Sequence, residues 1–434
     1  MNSSFPVLEN IPIFSLLKPT SSEINFKKVF KGWPAERLAI LDLAQRARDV
    51  LVKHLDQKLP PELCLDDIAR YLPLALTLEN EVKVNPNLNI DTSLKFHWKQ
   101  SPIVISNYQD RYFSGNFMSV EVLHVLWLRA ILLLNGSASY AAVHEYEKAI
   151  QFQRELAGVF NFLSADRLRV IMNETVPIEF QPPVFQSLAM LALSQVYSLI
   201  ASKAERDHLK PLSLCKLCYT SSRTLKNALE ALAGVTRPKS KDIIHKQYQD
   251  WLQGTSSFYF SVSAILASFH HRSKDEVGKA ISLARLAVAK LNQTLSIPRL
   301  PENIQKPAKE ILRKFAPIEK EWSEFNADVT SEYVPTMTEA ESFIAVLCTT
   351  IPNLPQPIPF QLPEMFLLGI SPDPFTSIPE GGSGNAGQYS TVTTVQRTAS
   401  SEVPTSSNFS TSGSINLTQS SEAPTIHKVV RPPK

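Results

Sequence analysis

The pattern of apolar and polar positions is clearest between Pro182 and Leu232, where it predicts two long helices. The first begins at Pro182-Pro183, because proline lacks an amide hydrogen and fits a helix best in its first turn. From Leu188 to Ile200 apolar side chains occupy nearly every face, so we expect this helix to be buried on most sides. A polar break at Lys203–Lys210 precedes a second helical pattern that ends before Gly234. The pair forms an antiparallel hairpin whose second helix shows one face to solvent or to a partner.

Helical spacing covers most of the remaining chain up to residue 327. Leu94–Lys99 alternates apolar and polar residues and predicts a short strand, and residues 1–33 predict extended segments or a hairpin. The expected fold is all-α, with stacked antiparallel helical hairpins in a TPR-like solenoid and short N-terminal β segments. No exact 34-residue repeat signature is present. The other predicted helices are 34–55, 65–78, 120–134, 137–163, 241–269, 275–295 and 302–325, with Asn135-Gly136 capping the third of these.

Composition changes near residue 350. Ile351–Pro363 reads IPNLPQPIPFQLP and must be extended, because each proline disfavours helix at the residue before it. Beyond Phe375 the chain is rich in Ser, Thr and Gly and has too few large apolar residues to offset its ordering entropy. We therefore predict one helical domain over residues 1–365 and a disordered Ser/Thr/Pro-rich tail over residues 366–434.

Charge and cysteine content limit the classes of function. A net charge of +3, without an Arg/Lys stripe or a zinc-finger spacing, gives no support for nucleic-acid binding. No secretory signal and no run of about 18 apolar residues is recognised. Four cysteines in 434 residues indicate a reducing compartment, so we expect a cytoplasmic protein.

The basic stretch formed by Arg237, Lys239, Lys241 and Lys246 has two interpretations. Such a stretch is most often a solvated loop. Its functional alternative is a weak contact with an anionic membrane, to which each cation contributes on the order of 1 kcal/mol. A protein partner would have to supply the rest of the binding energy.

Candidate chemical motifs are few. Cys215-x-x-Cys218 lies inside a predicted helix, without the second cysteine pair or histidine of a zinc site, so it is interpreted as core. His270-His271 falls in a predicted turn with no carboxylate at metal-site spacing. No phosphate-binding or nucleophile-elbow motif occurs among only 13 glycines. We expect no catalytic residues, no cofactor and no metal; an all-α enzyme would need an acidic or nucleophilic cluster that is missing.

Several short motifs, in order, resemble those of a known family. They are Phe96 and Trp98, Ala157-Gly158-Val159-Phe160, Leu188-x-Met190-Leu191-Ala192, Tyr333-Val334-Pro335 and Pro357-Ile358-Pro359-Phe360. Each is weak alone, but together they resemble the Bro-one domain family over roughly residues 5–365. That resemblance implies a boomerang-shaped helical domain.

The resemblance also implies a partner, the C-terminal amphipathic helix of a Snf-seven-type ESCRT-III subunit. The chain would then be a non-enzymatic adaptor, cytoplasmic and peripheral on endosomes, in multivesicular-body sorting. Val143 and Glu147 depart from the acidic residue and lysine that many members carry on the preceding helix. The alternative is a generic helical-repeat scaffold that binds another peptide. Carried over by position, the apolar wall of the groove would be Leu199, Leu212, Leu214, Leu217 and Leu347, each of which is as readily explained as core.

Overall fold

The structure is a computed structural model, and it describes residues 24–30, 33–57, 59–85, 96–99, 104–105, 112–115, 118–165, 180–235, 243–244, 246–298, 300–349 and 354–365. Contacts divide the chain into the units Met1–Thr376 and Ser377–Lys434, and every described residue belongs to the first. The tail predicted over residues 366–434 and the extended segments predicted before residue 24 lie outside the described residues. The limits of the predicted domain therefore stay a prediction.

The described part of the chain is dominated by helices. Two pairs of short antiparallel strands accompany them, with Phe96 opposite Gly115 in one pair and Val104 opposite Ile244 in the other. The helices are α1 (Phe26–Val29), α2 (Ala35–Asp56), α3 (Pro61–Val84), α4 (Met118–Ala142), α5 (Tyr146–Ser164), α6 (Pro182–Arg206), α7 (Pro211–Ala231), α8 (Lys246–Arg272), α9 (Val277–Leu295), α10 (Glu302–Phe325) and α11 (Met337–Leu347); the strands are β1 (Phe96–Lys99), β2 (Val104–Ile105), β3 (Tyr112–Gly115) and β4 (Ile243–Ile244).

Consecutive helices from α2 to α10 pack against one another in chain order, and α11 returns to pack on α9 and α8. This arrangement confirms the all-α class of stacked antiparallel hairpins. The central hairpin is α6 and α7, which starts at Pro182 as predicted. His208 makes its turn with a positive φ of 57°, a left-handed conformation that reverses the chain within four residues.

The predicted boundary between α4 and α5 is wrong. Asn135-Gly136 does not cap a helix, because α4 continues to Ala142 and the turn is made instead around His144, whose φ is 63°. Gly136 has a packing role, since a β-carbon at this position would crowd the ring of Phe152 on α5. Ser137 Oγ then donates a hydrogen bond to the carbonyl oxygen of Ala149 at 2.9 Å. Close approach of the two helices, rather than a helix end, explains the glycine.

Within the described part of the chain, two helices are long and apolar enough to cross a membrane by length and composition. They are α4 and α6, and 89% and 78% of their most apolar windows lie buried inside the protein. Apolar side chains on all faces are typical of a central helix in a large core. Their hydrophobicity is therefore accounted for by packing against neighbouring helices.

A charged cluster is buried where α2, α3 and α4 meet. Arg48 Nε lies 2.8 Å from Glu121 Oε1, and the hydroxyl of Tyr71 donates to the same oxygen at 2.9 Å. All three side chains are fully buried. Burial raises the pKa of Tyr71 well above its ordinary value, so the phenol stays protonated and donates. The cluster links three successive helices through one carboxylate.

His124, one turn along α4 from Val120, makes the stability depend on pH. Its Nδ1 lies 2.7 Å from the carbonyl oxygen of Val120, and burial lowers its pKa from 6.5 to about 4. As the pH falls, the unfolded chain therefore binds a proton at His124 before the folded chain does. Its contribution is fully present above pH 6.5 and is lost as the pH falls toward 4, by about 2 kcal/mol between pH 7 and pH 5. We expect the free energy of unfolding of His124→Asn, measured by urea titration at pH 7 and pH 5, to fall by about 2 kcal/mol less than that of the wild type. An equal fall in both proteins would contradict this.

Residues 354–365, here called the strap, run extended across α5 as the proline pattern predicts. The amide of Ile358 donates to the carbonyl oxygen of Arg154 at 3.0 Å, and Arg154 Nε donates to the carbonyl oxygen of Gln356 at 2.8 Å. The ring of Phe360 packs edge-on against Phe162, with centroids 5.2 Å apart. The strap is thus held by backbone bonds and one aromatic anchor.

Gly158 permits this crossing, because a β-carbon there would overlap the carbonyl oxygen of Ile358. We expect Gly158→Ala to lift the strap while the helices stay folded, and so to speed chymotrypsin cleavage at Phe360 by about tenfold or more. Gly234→Ala is the matched control, since its β-carbon would meet only the side chain of Pro183 at ordinary contact distance. Cleavage of Gly158→Ala at the wild-type rate, followed by mass spectrometry, would refute this role.

Candidate partner-binding surface

Helix α7 is amphipathic, and its inner face is fixed by serine contacts to both neighbours. On the α6 side, the hydroxyl oxygens of Ser194 and Ser221 lie 2.7 Å apart. On the α8 side, Ser222 and Ser256 each donate to the other's carbonyl oxygen, at 2.8 and 2.9 Å. Small hydroxyl side chains let the three helix backbones approach closely. The opposite face of α7 is consequently left uncovered by α6 and α8.

The five leucines proposed for the groove differ in how deeply the structure buries them. Leu199 and Leu214 are only 1% and 4% exposed, so in this structure neither can form part of an open wall. Leu199 packs with Ala141 and Ala149 between α4, α5 and α6, as expected for a helix buried on most sides. Leu212, Leu217 and Leu347 are half-buried at the protein surface. The groove itself stays a prediction, for which these last three leucines are the accessible candidates.

Helix α11, which the sequence analysis did not predict, ends at Leu347 and brings the following Cys348 against α7. It begins with a capping box, in which Thr336 and Glu339 bond each other's backbone amides. Lys290 on α9 pairs with Glu341 at 2.9 Å and holds the first half of α11. At its end, the thiol of Cys348 lies 3.7 Å from that of Cys215 on α7. The motif Thr-x-x-Glu before an apolar run was the sequence signal for this helix.

A line of aromatic rings and cations borders this surface. Tyr219 on α7 packs against Phe260 on α8, with ring centroids 6.2 Å apart. Arg223 lies over the Tyr219 ring at 6.0 Å and Lys290 over the Phe260 ring at 5.5 Å. Such a border offers flat apolar area beside positive charge. Leu212 lies two turns before Tyr219 on the same side of α7, so this side offers apolar area beside the guanidinium of Arg223 to an amphipathic helix that carries acidic residues.

A model of the BRO1-like domain family matches residues 38–351, which is most of the chain. The chain belongs to the BRO1-like domain family. No curated protein gives a significant match to it. Members of known structure nevertheless share its fold.

Three solved structures show that fold. ALIX in complex with the SIVmac239 PYKEVTEDL late domain matches with a TM-score of 0.64 and 16% identity over 82% of this chain. This chain spans only 50% of the ALIX chain in that structure. The ALIX BRO1–CHMP4C complex matches at 0.59 and 14%, covering 82% of this chain and 96% of that one. A Bro1 domain, described as a structural basis for endosomal targeting, matches at 0.57 and 13%, covering 78% and 96%.

This BRO1-like domain has its own ion pair where the sequence departs from the family pattern. Glu147 on α5 pairs with Lys203 on α6 at 2.6 Å, and this hydrogen bond lowers the pKa of the Glu147 carboxyl. Val143 is 63% exposed beside it. Lys203 on α6 therefore supplies a cation near the position at which many family members are expected to carry a lysine on α5.

The basic stretch of this BRO1-like domain is described only at its end. Lys246 is exposed and pairs with the buried carboxylate of Asp250 at 2.9 Å, so part of its charge is already neutralised. Arg237, Lys239 and Lys241 lie outside the described residues. Their contact with a membrane stays a prediction.

The cysteine pair and the histidine pair noted in the sequence both lie within helices. Cys215 and Cys218 are both buried inside α7. His270-His271 lies in the last turn of α8, and His271 pairs with Glu276. Within the described ranges, no group of three or more His, Cys, Asp or Glu side chains is arranged to hold a metal ion.

Proposed function

We propose that this BRO1-like domain is a non-enzymatic adaptor that binds the C-terminal amphipathic helix of a Snf-seven-type ESCRT-III subunit. The observation that supports this most is the amphipathic helix α7, whose outer face α6 and α8 leave uncovered and whose Leu212 and Leu217 are half-buried at its two edges. Leu347 is half-buried at the end of α11. A helix-in-groove contact needs an apolar stripe of this kind. A structural relative, the ALIX BRO1 domain, forms a complex with CHMP4C.

Charge favours an acidic amphipathic helix over a purely apolar one. Arg223 lies beside the ring of Tyr219, whereas Lys290, beside the ring of Phe260, is already paired with Glu341 on α11. Rim charges of this type contribute mainly to orientation and to the association rate, while the apolar anchors supply the affinity. Binding is thus expected to weaken modestly with salt.

The test is a fluorescence-anisotropy titration of the full chain into a labelled C-terminal peptide of a Snf-seven-type subunit. A scrambled peptide of the same composition is the control, because it keeps the charge and loses the apolar stripe. Saturable binding of the native peptide alone supports the proposal. Equal binding of both peptides, or of neither, would favour the alternative of a helical scaffold for a different peptide.

We further propose that the adaptor is cytoplasmic and acts at the surface of endosomes in multivesicular-body sorting. The basic stretch would then add a weak contact with anionic lipid. We expect the triple change Arg237→Glu, Lys239→Glu and Lys241→Glu to weaken binding to anionic liposomes by about tenfold at low salt, and less at high salt. Sedimentation with phosphatidylserine and neutral vesicles measures this. Unchanged sedimentation would show that the basic stretch does not contribute to membrane binding.

A further inference from the structure

Two cysteines from distant parts of the chain meet beneath the proposed groove. Cys215 is on the inner face of α7, and Cys348 is the C-terminal cap of α11. Their sulfur atoms lie 3.7 Å apart, although the residues are separated by 133 positions. The hydroxyl of Ser263 on α8 lies 3.3 Å from the sulfur of Cys215.

Both thiols are buried in the core, but unlike isolated core cysteines each sulfur lies against the other. The hydrogen bond from the Cys348 thiol lowers the pKa of Cys215, and the same bond raises the pKa of Cys348. Burial instead raises the pKa of Cys218, one turn away on α7, well above its usual range. Because the thiolate is the reactive form, we expect Cys215, whose sulfur faces that of Cys348, to react before Cys218.

We propose that Cys215 and Cys348 are a reversible oxidation site, at which hydrogen peroxide converts the two thiols into a disulfide that ties α11 to α7. The sulfur of Cys215 attacks the peroxide bond, giving a sulfenic acid and one water. The sulfur of Cys348 then attacks the sulfenic sulfur, and a second water leaves. Two thiols and one peroxide thus yield one disulfide and two waters. The sulfurs must approach from 3.7 Å to about 2.05 Å, so the bond requires side-chain rotation and movement of the end of α11.

The site acts on the groove because Leu347 immediately precedes Cys348. A disulfide would hold the end of α11 on α7. Leu347 would then have less conformational freedom before binding, and would lose less of it when a peptide binds. Pre-ordering of this type increases affinity. This coupling, unlike the disulfide itself, rests on the proposed function. In a reducing cytoplasm the bond would be transient, as is typical of redox-sensing cysteines.

The experiment treats the reduced full chain with hydrogen peroxide, blocks remaining thiols and maps the linked peptides by mass spectrometry. We expect a Cys215–Cys348 crosslink, and a melting temperature raised by roughly 5 °C that dithiothreitol reverses, because the bond closes a long loop. Cys348→Ala should abolish both effects, whereas Cys218→Ala, which removes a neighbouring buried thiol, should keep both. A Cys215–Cys218 link, or only overoxidised cysteine, would overturn the proposal in the wild-type protein itself.

Affinity for the labelled ESCRT-III peptide, measured before and after oxidation, tests the coupling. We expect the oxidised protein to bind about threefold more tightly. The same affinity in both states, with the crosslink formed, would overturn the coupling. Absence of peptide binding in both states, with the crosslink formed, would overturn the proposed function and leave the oxidation site standing.

Discussion

Glu121→Ala is expected to lower the free energy of unfolding by about 3–5 kcal/mol, because it leaves the guanidinium of Arg48 buried without its carboxylate. The hydroxyl of Tyr71 loses its acceptor in the same change. Urea denaturation followed by circular dichroism measures the effect. Glu302→Ala is the matched control, since Glu302 pairs with Lys306 in solvent and should leave the midpoint unchanged.

The buried pair allows a sharper version of this test. The double change Arg48→Met with Glu121→Leu removes both charges and fills the space with apolar side chains. We expect it to recover most of the stability lost in Glu121→Ala, because the cost of a broken buried pair lies mainly in the unpaired charge. A double variant less stable than Glu121→Ala would contradict this explanation.

Leu217→Asp is expected to leave the domain folded and to weaken binding of the ESCRT-III helix by about 30-fold or more, which corresponds to loss of a hot spot of about 2 kcal/mol. Leu217 is half-buried at the outer edge of α7, so the carboxylate can remain in water. Thermal unfolding and anisotropy titration measure the two properties. Leu63→Asp, at a 44% exposed leucine on α3, is the matched control and should bind normally.

The possible results of this experiment are distinct. A folded variant that binds as tightly as the wild type excludes Leu217 from the binding surface. An unfolded variant shows that Leu217 is core. In that case Leu212→Asp, at a half-buried leucine in the first turn of α7, carries the same test of the surface.

The sequence was most informative where the pattern is local. Prolines at 182 and 211 mark the starts of α6 and α7, and the all-round apolar pattern correctly predicted that α6 is buried. The prediction of a helix end at Gly136 was wrong. Glycine occurs at helix ends but also where helices pack closely, as Gly136 does against Phe152. The helix predicted over residues 302–325 matches α10, which runs through both Pro307 and Pro317.

The binding surface was harder to predict, since it depends on contacts between distant residues. Leu199 and Leu214 have the same side chain as Leu212 and Leu217, and only the packing of α5, α6 and α8 decides which are covered. The meeting of Cys215 with Cys348 depends on where α11 returns to the stack. Periodicity reports a helix's own faces and carries no information on which neighbour covers them.

Hydrogen exchange of the full chain, with and without the ESCRT-III helix, tests the central claim most directly. Bound peptide excludes water from the groove, so amides in Pro211–Ala231 and Met337–Leu347 should exchange more slowly, while those of α10 should be unchanged. Saturating peptide that protects only α10 or α3, with α7 and α11 exchanging as in the free protein, would contradict the account.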